Sequence, residues 1–272
     1  MPAWIPPVGP LGELTASSEA RARLAAADRE RVRWLEAKAD GIAVPPSFAQ
    51  ALRGPCVRVI AELKRRSPSK GVINDAIDAP SRAATYAAGG AAALSVLTEP
   101  SRFGGSLEDL EAVRAAVALP LLRKDFLTHE VQLLEARAAG ASAVLLIARA
   151  LPADRLRALA AVAHARRLEC LVEVRTEAEL LVALSVPGAI VGVNNRDLET
   201  LRIDDAAGIR LLPLVPPDRV AVYESGVTSV LEVERAAAAG ADAVLVGSVL
   251  SVAADGAAAV RALSGVERRA RA

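Results

Sequence analysis

Short, unbroken apolar runs recur along the whole chain, and a polar cluster follows nearly every one. The runs centre near Val59, Leu94, Leu121, Val144, Leu171, Val191, Val222 and Val244. They are rich in Val, Ile, Leu and Ala rather than alternating with polar residues, the pattern of strands buried on both faces. Between them, mixed apolar and charged stretches predict helices over 80–88, 107–117, 131–139, 153–167, 177–184, 204–212 and 229–239. A weak repeat marks the junctions. Gly89-Gly90-Ala91, Gly140-Ala141, Gly188-Ala189 and Gly240-Ala241 each place glycine where a helix ends, then a small residue, then a strand. Eight short strands alternating with helices over roughly 200 residues predict an α/β fold, a (β/α)8 TIM barrel, better than an open doubly wound sheet.

The flanks differ from this pattern. Residues 1–16 are rich in Pro and Gly and are expected to be irregular. A helix is predicted over 17–39, opened by Ser17 and Ser18 with Glu19 in its first turn. Its apolar face (Leu24, Val32, Leu35, with Trp34 beside them) is thin, as for a helix lying on a larger body. A short helical piece is predicted at 48–52. The expected division is an N-terminal helical extension, 1–55, and a catalytic barrel, 56–272. After Ala253 an Ala-rich final helix with a frayed basic end is expected.

Composition narrows the function. Of 272 residues, 53% are apolar but only 3% aromatic, so a large core must be packed from Ala, Val and Leu. The net charge of +1 gives no reason to expect a nucleic-acid or membrane partner. Cys56 and Cys170 are far apart with no metal-binding spacing, and His129 and His164 lie in no ligand motif, so reduced thiols and no metal are expected. No basic segment followed by an apolar core opens the chain, and the Ala-rich stretch 236–260 is interrupted by Gly and Asp. A cytoplasmic protein, monofunctional and monomeric, is expected.

In a barrel of this kind, chemistry sits where strands finish. Glu62 and Lys64 end the first strand on one face. Lys124 ends the third, followed by Phe126. Glu173 ends the fifth, Asn194 and Arg196 the sixth, Glu224, Ser225 and Gly226 the seventh, and Gly247 and Ser248 the eighth. Two lysines, three glutamates, an amide and several Ser/Gly pairs at one mouth point to an acid–base site. Gly226 and Gly247-Ser248 lie where such barrels hold phosphate on backbone N–H groups, and Arg66 and Ser67 could close that cup from the first strand. A small phosphorylated substrate follows. Arg123, Asp125 and Asp197 adjoin these positions on the opposite face and are expected to form salt bridges between neighbouring strands.

Several stretches together resemble the indole-3-glycerol phosphate synthase family: Ile60-Ala61-Glu62-Leu63-Lys64 with Ser67-Pro68-Ser69, Ser95-Val96-Leu97-Thr98, Leu122-Arg123-Lys124-Asp125-Phe126, Leu171-Val172-Glu173-Val174, Asn194-Asn195-Arg196-Asp197-Leu198 and Glu224-Ser225-Gly226. The resemblance implies ring closure of 1-(2-carboxyphenylamino)-1-deoxyribulose 5-phosphate with loss of carbon dioxide and water, without metal or organic cofactor. It implies Lys124 as the acid of ring closure, Lys64 as the contact to the substrate carboxylate and a candidate acid of dehydration, and Glu173 as general base or charge stabiliser. Glu62 and Asn194 orient these groups, with Glu224 and Ser225 in support; sequence leaves open which lysine serves which step. A sugar-phosphate isomerase of the phosphoribosylanthranilate type and a barrel that only binds a phosphorylated metabolite are the alternatives.

Overall fold

The computed structural model describes residues 4–271. Its centre is a closed barrel of eight parallel strands: β1 (Arg58–Leu63), β2 (Ala93–Leu97), β3 (Leu121–Lys124), β4 (Ala143–Ile147), β5 (Glu169–Val174), β6 (Ile190–Asn194), β7 (Ala221–Glu224) and β8 (Ala243–Val246). Neighbours in sequence are neighbours in space, and β1 completes the ring by pairing with both β8 and β2. Every residue of β2, β4, β6, β7 and β8 is buried, which explains why the runs are continuous rather than alternating. One face of each strand fills the barrel and the other meets helices α4 (Ala79–Ala88), α6 (Leu107–Ala116), α7 (Glu130–Ala138), α8 (Ala153–Ala165), α9 (Glu177–Leu184), α10 (Asp205–Leu211) and α11 (Val230–Ala238). Side-chain caps start most of them, among them Asp78, Ser106, Thr176 and Ser229. Short helices α5 (Pro100–Phe103), α12 (Ser248–Val252) and α13 (Gly256–Ala262) complete the set around the ring.

The N-terminal expectation needs correcting. Residues 9–16 are helical, not irregular: α1 runs Gly9–Ala27 and α2 runs Arg29–Gly41, with α3 (Phe48–Ala51) before the barrel. Pro10 stands at the start of α1, where its missing N–H costs nothing and its fixed φ suits a helix. Ser17 and Ser18 therefore do not cap a helix. Ser18 is buried in mid-helix and accepts a 2.8 Å bond from Gln132 Nε2 of α7. The chain breaks instead at Asp28, whose carboxylate accepts from Arg31 N at 2.9 Å. Residues 1–3, part of the stretch expected to be irregular, lie outside the described residues.

α1 is seated on the loop after β6. Leu11 N donates to Leu198 O (3.1 Å) and Val8 N to Glu199 Oε1 (2.8 Å). Gly9 sits so close to that loop that a Cβ would lie 2.3 Å from Glu199 O, and its φ of +58° is one a side chain disfavours.

The C-terminal expectation is also corrected. α13 ends at Ala262, and the basic tail is pinned rather than frayed. Val57 N donates to Val266 O (2.8 Å) and Arg268 N to Pro55 O (2.8 Å). Arg268 and Arg271 both pair with the buried Asp242, Arg271 at 2.8 Å, and Asp242 also accepts from Ala221 N at 2.8 Å. Arg271 further donates to the carbonyls of Val215 and Arg219 at 3.0 and 2.6 Å. Ala272 lies outside the described residues. Asp242→Ala leaves one strand N–H and two guanidiniums without this acceptor and should lower the unfolding free energy by about 3 kcal/mol, as for one partner removed from a buried pair; urea denaturation measures it.

Candidate active site

The carboxyl ends of the strands open into a cavity of ≈ 820 Å³. Ten of the sequence-predicted residues line it. Glu62, Lys64 and Ser67 come from β1 and its loop, Lys124 and Phe126 from β3, and Glu173 from β5. Asn194 and Arg196 follow β6, Ser225 follows β7, and Ser248 follows β8. Lys64 and Lys124 thus share one cavity.

Its floor is a charge cluster. Lys124 Nζ lies 3.0 Å from Glu224 Oε2 and 3.3 Å from Glu173 Oε2, while Lys64 Nζ lies 2.9 Å from Glu62 Oε1. Three carboxylates face two ammoniums in a site where all three glutamates are nearly sealed from water. Burial by itself would strip the Lys124 proton, but the negative charges of Glu224, Glu173 and Glu62 outweigh it and hold the pKa above the ordinary lysine value. Burial likewise pushes Glu62 upward, yet Lys64 foremost, with Lys124, brings it below the usual carboxylate range. Glu224 is the group that yields: burial, despite Lys124 and reinforced by Glu173, raises it to about 7. Its Oε1 is buried with no hydrogen-bond partner among the described residues. Gly192 leaves it room in this position, since a Cβ there would lie 2.2 Å from Glu224 Oε1.

Four predicted residues do not line the cavity. Glu224 lies beneath it, as its bond to Lys124 shows. Gly247 backs the Glu62–Lys64 pair, where a Cβ would come within 2.4 Å of Glu62 Oε1 and 3.0 Å of Lys64 Nζ. Gly226, at φ +89°, borders an outer groove near Asp205 instead. Arg66 is exposed and turned away, held to Asp75 by two bonds of 2.7 Å. The expected closure of a phosphate cup by Arg66 is therefore not supported by this arrangement, because an adjacent carboxylate claims the guanidinium.

The three residues expected in strand-to-strand bridges all form salt bridges, with two differences: Asp125 also lines the cavity, and Arg123 reaches chiefly outward. Buried Arg123 reaches across to Thr98 Oγ1 (3.1 Å), but its strongest contact is to the helix outside, Gln132 O at 2.6 Å, with Glu135 (3.3 Å) and Asp125 (3.5 Å) beside it. Asp197 pairs with Arg175 at 3.4 Å, tying the loops after β6 and β5.

Sequence reasoning missed the roof. Pro10 and Leu14 of α1 line the cavity, and Pro10 at a helix start was the available signal. Phe103, whose stacking the sequence left open, lines the cavity against Phe126 with ring centroids 6.2 Å apart, so two loops supply the aromatic wall. Asn195 escaped notice as well. Fully buried, it donates to the carbonyls of Glu224 (3.0 Å) and Ser225 (2.9 Å), holding Ser225 at φ +63°, a conformation rare for a non-glycine residue.

A parallel barrel with ammoniums and carboxylates interleaved at its mouth defines an enzyme of proton-transfer chemistry on a small substrate. The indole-3-glycerol phosphate synthase family model matches residues 16–263. An indole-3-glycerol phosphate synthase from Nocardioides sp. is 54% identical over 209 residues, 77% of this chain and 80% of the relative. Indole-3-glycerol phosphate synthase 2 of Streptomyces coelicolor is 46% identical over 259 residues, 94% of this chain and 99% of its own length. The chain belongs to the indole-3-glycerol phosphate synthase family. Among solved structures, 3-hexulose-6-phosphate synthase from Salmonella typhimurium superposes with a TM-score of 0.61 at 16% identity, covering 76% of this chain and 96% of that one, a likeness of fold alone.

The Glu224 shift has a sign that stability measurements can read. The folded protein holds the Glu224 proton to about pH 7, whereas the unfolded chain releases it near 4.5. Between those values the native state binds the extra proton, so this group's contribution to stability falls as pH rises through the window. Glu62, depressed, works oppositely, adding stability that is lost on acidification. Relative to Glu224→Gln, the wild type should lose on the order of 3 kcal/mol between about pH 4.5 and 7. Urea unfolding of both proteins across that range would contradict this if their difference stayed flat.

Proposed function

We propose that the chain converts 1-(2-carboxyphenylamino)-1-deoxyribulose 5-phosphate to indole-3-glycerol phosphate, carbon dioxide and water. The observation that carries this reading is the presence of Lys64 and Lys124 in one cavity, each hydrogen-bonded to its own carboxylates. Ring closure joins the aryl carbon to a ketone carbon, and the ketone oxygen becomes an alkoxide unless protonated. The Lys124 ammonium supplies that proton. Its raised pKa is no obstacle, since an alkoxide is a far stronger base than an amine, and it keeps the ammonium fully charged at neutral pH. Lys64 holds the substrate carboxylate; carbon dioxide departs and restores the aromatic ring. Lys64 then protonates the departing hydroxyl group, and Glu173 accepts the last proton. Glu62 and Asn194 orient Lys64 and the substrate hydroxyls.

In this reading the phosphate is taken by Ser67, Ser225 and Ser248, all of which line the cavity, with Arg196, a half-buried guanidinium that also lines it and donates to Leu201 O. Phe126, Phe103, Leu145 and Ile147 offer an apolar wall for the aryl ring. The steps are redox-neutral and need acids, a base and charge complementarity. The reading takes the protein as a cytoplasmic monomer with no nucleic-acid or membrane partner; among the described residues no helix is long and apolar enough to cross a membrane.

Incubation with the carboxyphenylamino substrate should generate indole fluorescence. Its absence, or isomerisation of phosphoribosylanthranilate instead, would favour the isomerase or binding-only alternatives. Lys124→Ala should lower kcat by ~100-fold or more, the scale of a lost positioned acid; near-normal turnover would remove Lys124 from the mechanism. Ser248→Asp should chiefly raise KM by repelling phosphate, and an unchanged KM would refute that placement.

A further inference from the structure

Decarboxylation leaves a proton debt. A carboxylate that departs as carbon dioxide is replaced, over the whole reaction, by one proton from water. In the steps above Lys124 and Lys64 each give up a proton and Glu173 gains one, so the cluster ends every turnover one proton short. On the ring-closure reading the substrate occupies the main cavity, which Pro10 and Leu14 of α1 line. A proton that reaches the cluster while substrate or product is bound therefore needs a way that the ligand leaves free.

A second cavity of ≈ 590 Å³ lies beside the first, and the two share Ile147, Glu173, Asn194, Arg196 and Leu198 as a wall. Glu173 is thus reached from both sides. On the outer side of this second cavity stands Glu179, in the first turn of α9, the helix that packs on β5, β6 and the turn after β4. The charged groups facing Glu179 are Glu173 and Arg175 of β5 and its loop, Arg149 after β4, and Arg196, Asp197 and Glu199 after β6. The cations are largely committed: Arg149 pairs with Glu199 at 2.8 Å and Arg175 with Asp197 at 3.4 Å. Neither is within salt-bridge distance of Glu179. Burial raises the Glu179 pKa above the ordinary carboxylate value and the Glu173 charge adds to the rise, while the backbone bond from Arg175 N and the Arg149 charge oppose it. A carboxyl so placed exchanges protons closer to neutrality than a free glutamate does.

We propose that Glu179 is a proton inlet: it takes a proton from bulk water and passes it through the second cavity to Glu173, and so to the two lysines, while substrate or product occupies the first. The transfer is a relay along O–H and N–H bonds. Glu173 gives the proton it took up to the Lys124 amine 3.3 Å away; water protonates the Glu179 carboxylate, leaving hydroxide in the bulk, and that proton moves over water in the cavity to Glu173 and on through the cluster to the Lys64 amine beside Glu62, so that both ammoniums are restored and Glu173 is again a carboxylate. Nothing else is consumed. The proposal rests on the ring-closure reading and on the role of Glu173 in it.

Glu179 also has a structural duty, which the test must leave intact. Its Oε2 accepts from Arg175 N at 2.7 Å, while Thr176 Oγ1 accepts from Glu179 N at 3.2 Å, so it completes the cap of α9. Glutamine serves equally at that capping position but carries no titrating proton. In the full-length protein, Glu179→Gln should therefore lower kcat roughly tenfold, less than a group touching substrate would, with KM within about twofold. It should enlarge the solvent deuterium isotope effect on kcat and make kcat rise with imidazole buffer concentration, which the wild type should not show. Glu179→Asp should restore most of the turnover. An unchanged kcat in Glu179→Gln, or a fall that imidazole does not reverse, overturns the inlet and leaves the ring-closure reading standing. Wild-type turnover in Glu173→Gln would instead overturn the role of Glu173 itself, and the inlet with it.

Discussion

The structure depends on one unfavourable act, the burial of an ammonium group among three carboxylates at the end of a closed parallel sheet. Alone, burial would push Lys124 towards the neutral amine and Glu224 towards the acid. Together they hold each other charged, or nearly so, with Glu224 as the member that gives way first. Such a cluster is weak evidence of stability, because the desolvation of each ion offsets most of the attraction. What it secures is geometry: an ammonium fixed by two bonds at the wall of the cavity, where a preorganised charge acts without reorganisation.

The rest of the barrel keeps that cluster in place. Gly192 leaves room for Glu224, and Gly247 lets the end of β8 back the Glu62–Lys64 pair. Asn195 holds the backbone of Ser225, and Arg123 ties the end of β3 outward to α7. Above, α1 is fastened to the loop after β6 by the bonds from Leu11 N to Leu198 O and from Val8 N to Glu199 Oε1, which seats the roof on a loop that also lines the cavity. The use of cations follows the same logic. Of 33 basic residues only four are lysines (Lys38, Lys64, Lys70 and Lys124), and two of these face the cavity. Arginine does not release a proton near neutral pH, so it can pair, clamp and cap, but the proton-transfer positions require lysine.

The barrel was legible because its strands are buried on both faces, which writes an unbroken apolar run for each and a polar cluster at each end. The charge cluster was legible for the same reason: Glu62, Lys124 and Glu173 interrupt strongly apolar runs near their carboxyl ends. What was not legible depended on approach in space rather than on local pattern. Nothing near Ser17 announces that Ser18 meets Gln132 on another helix, and the thin apolar face of the N-terminal region hid a helix whose buried side is set by the loops it touches. The outward turn of Arg66 depends on Asp75, a pairing fixed by the fold of the intervening loop. The basic tail resembled a fraying end because its partner, Asp242, lies on the far side of the sequence's last strand junction.

With four lysines, the charge state of Lys124 can be observed directly. In protein labelled with 15N at the lysine side chains, the Lys124 Nζ signal, assigned by its loss in Lys124→Met, can be followed against pH. The account predicts that this nitrogen keeps the ammonium chemical shift beyond the ordinary lysine pKa of about 10.4, after exposed lysines have titrated. A Lys124 that titrates to the neutral amine below that value would contradict it, since the three carboxylates would then not be holding the charge on which the site is built.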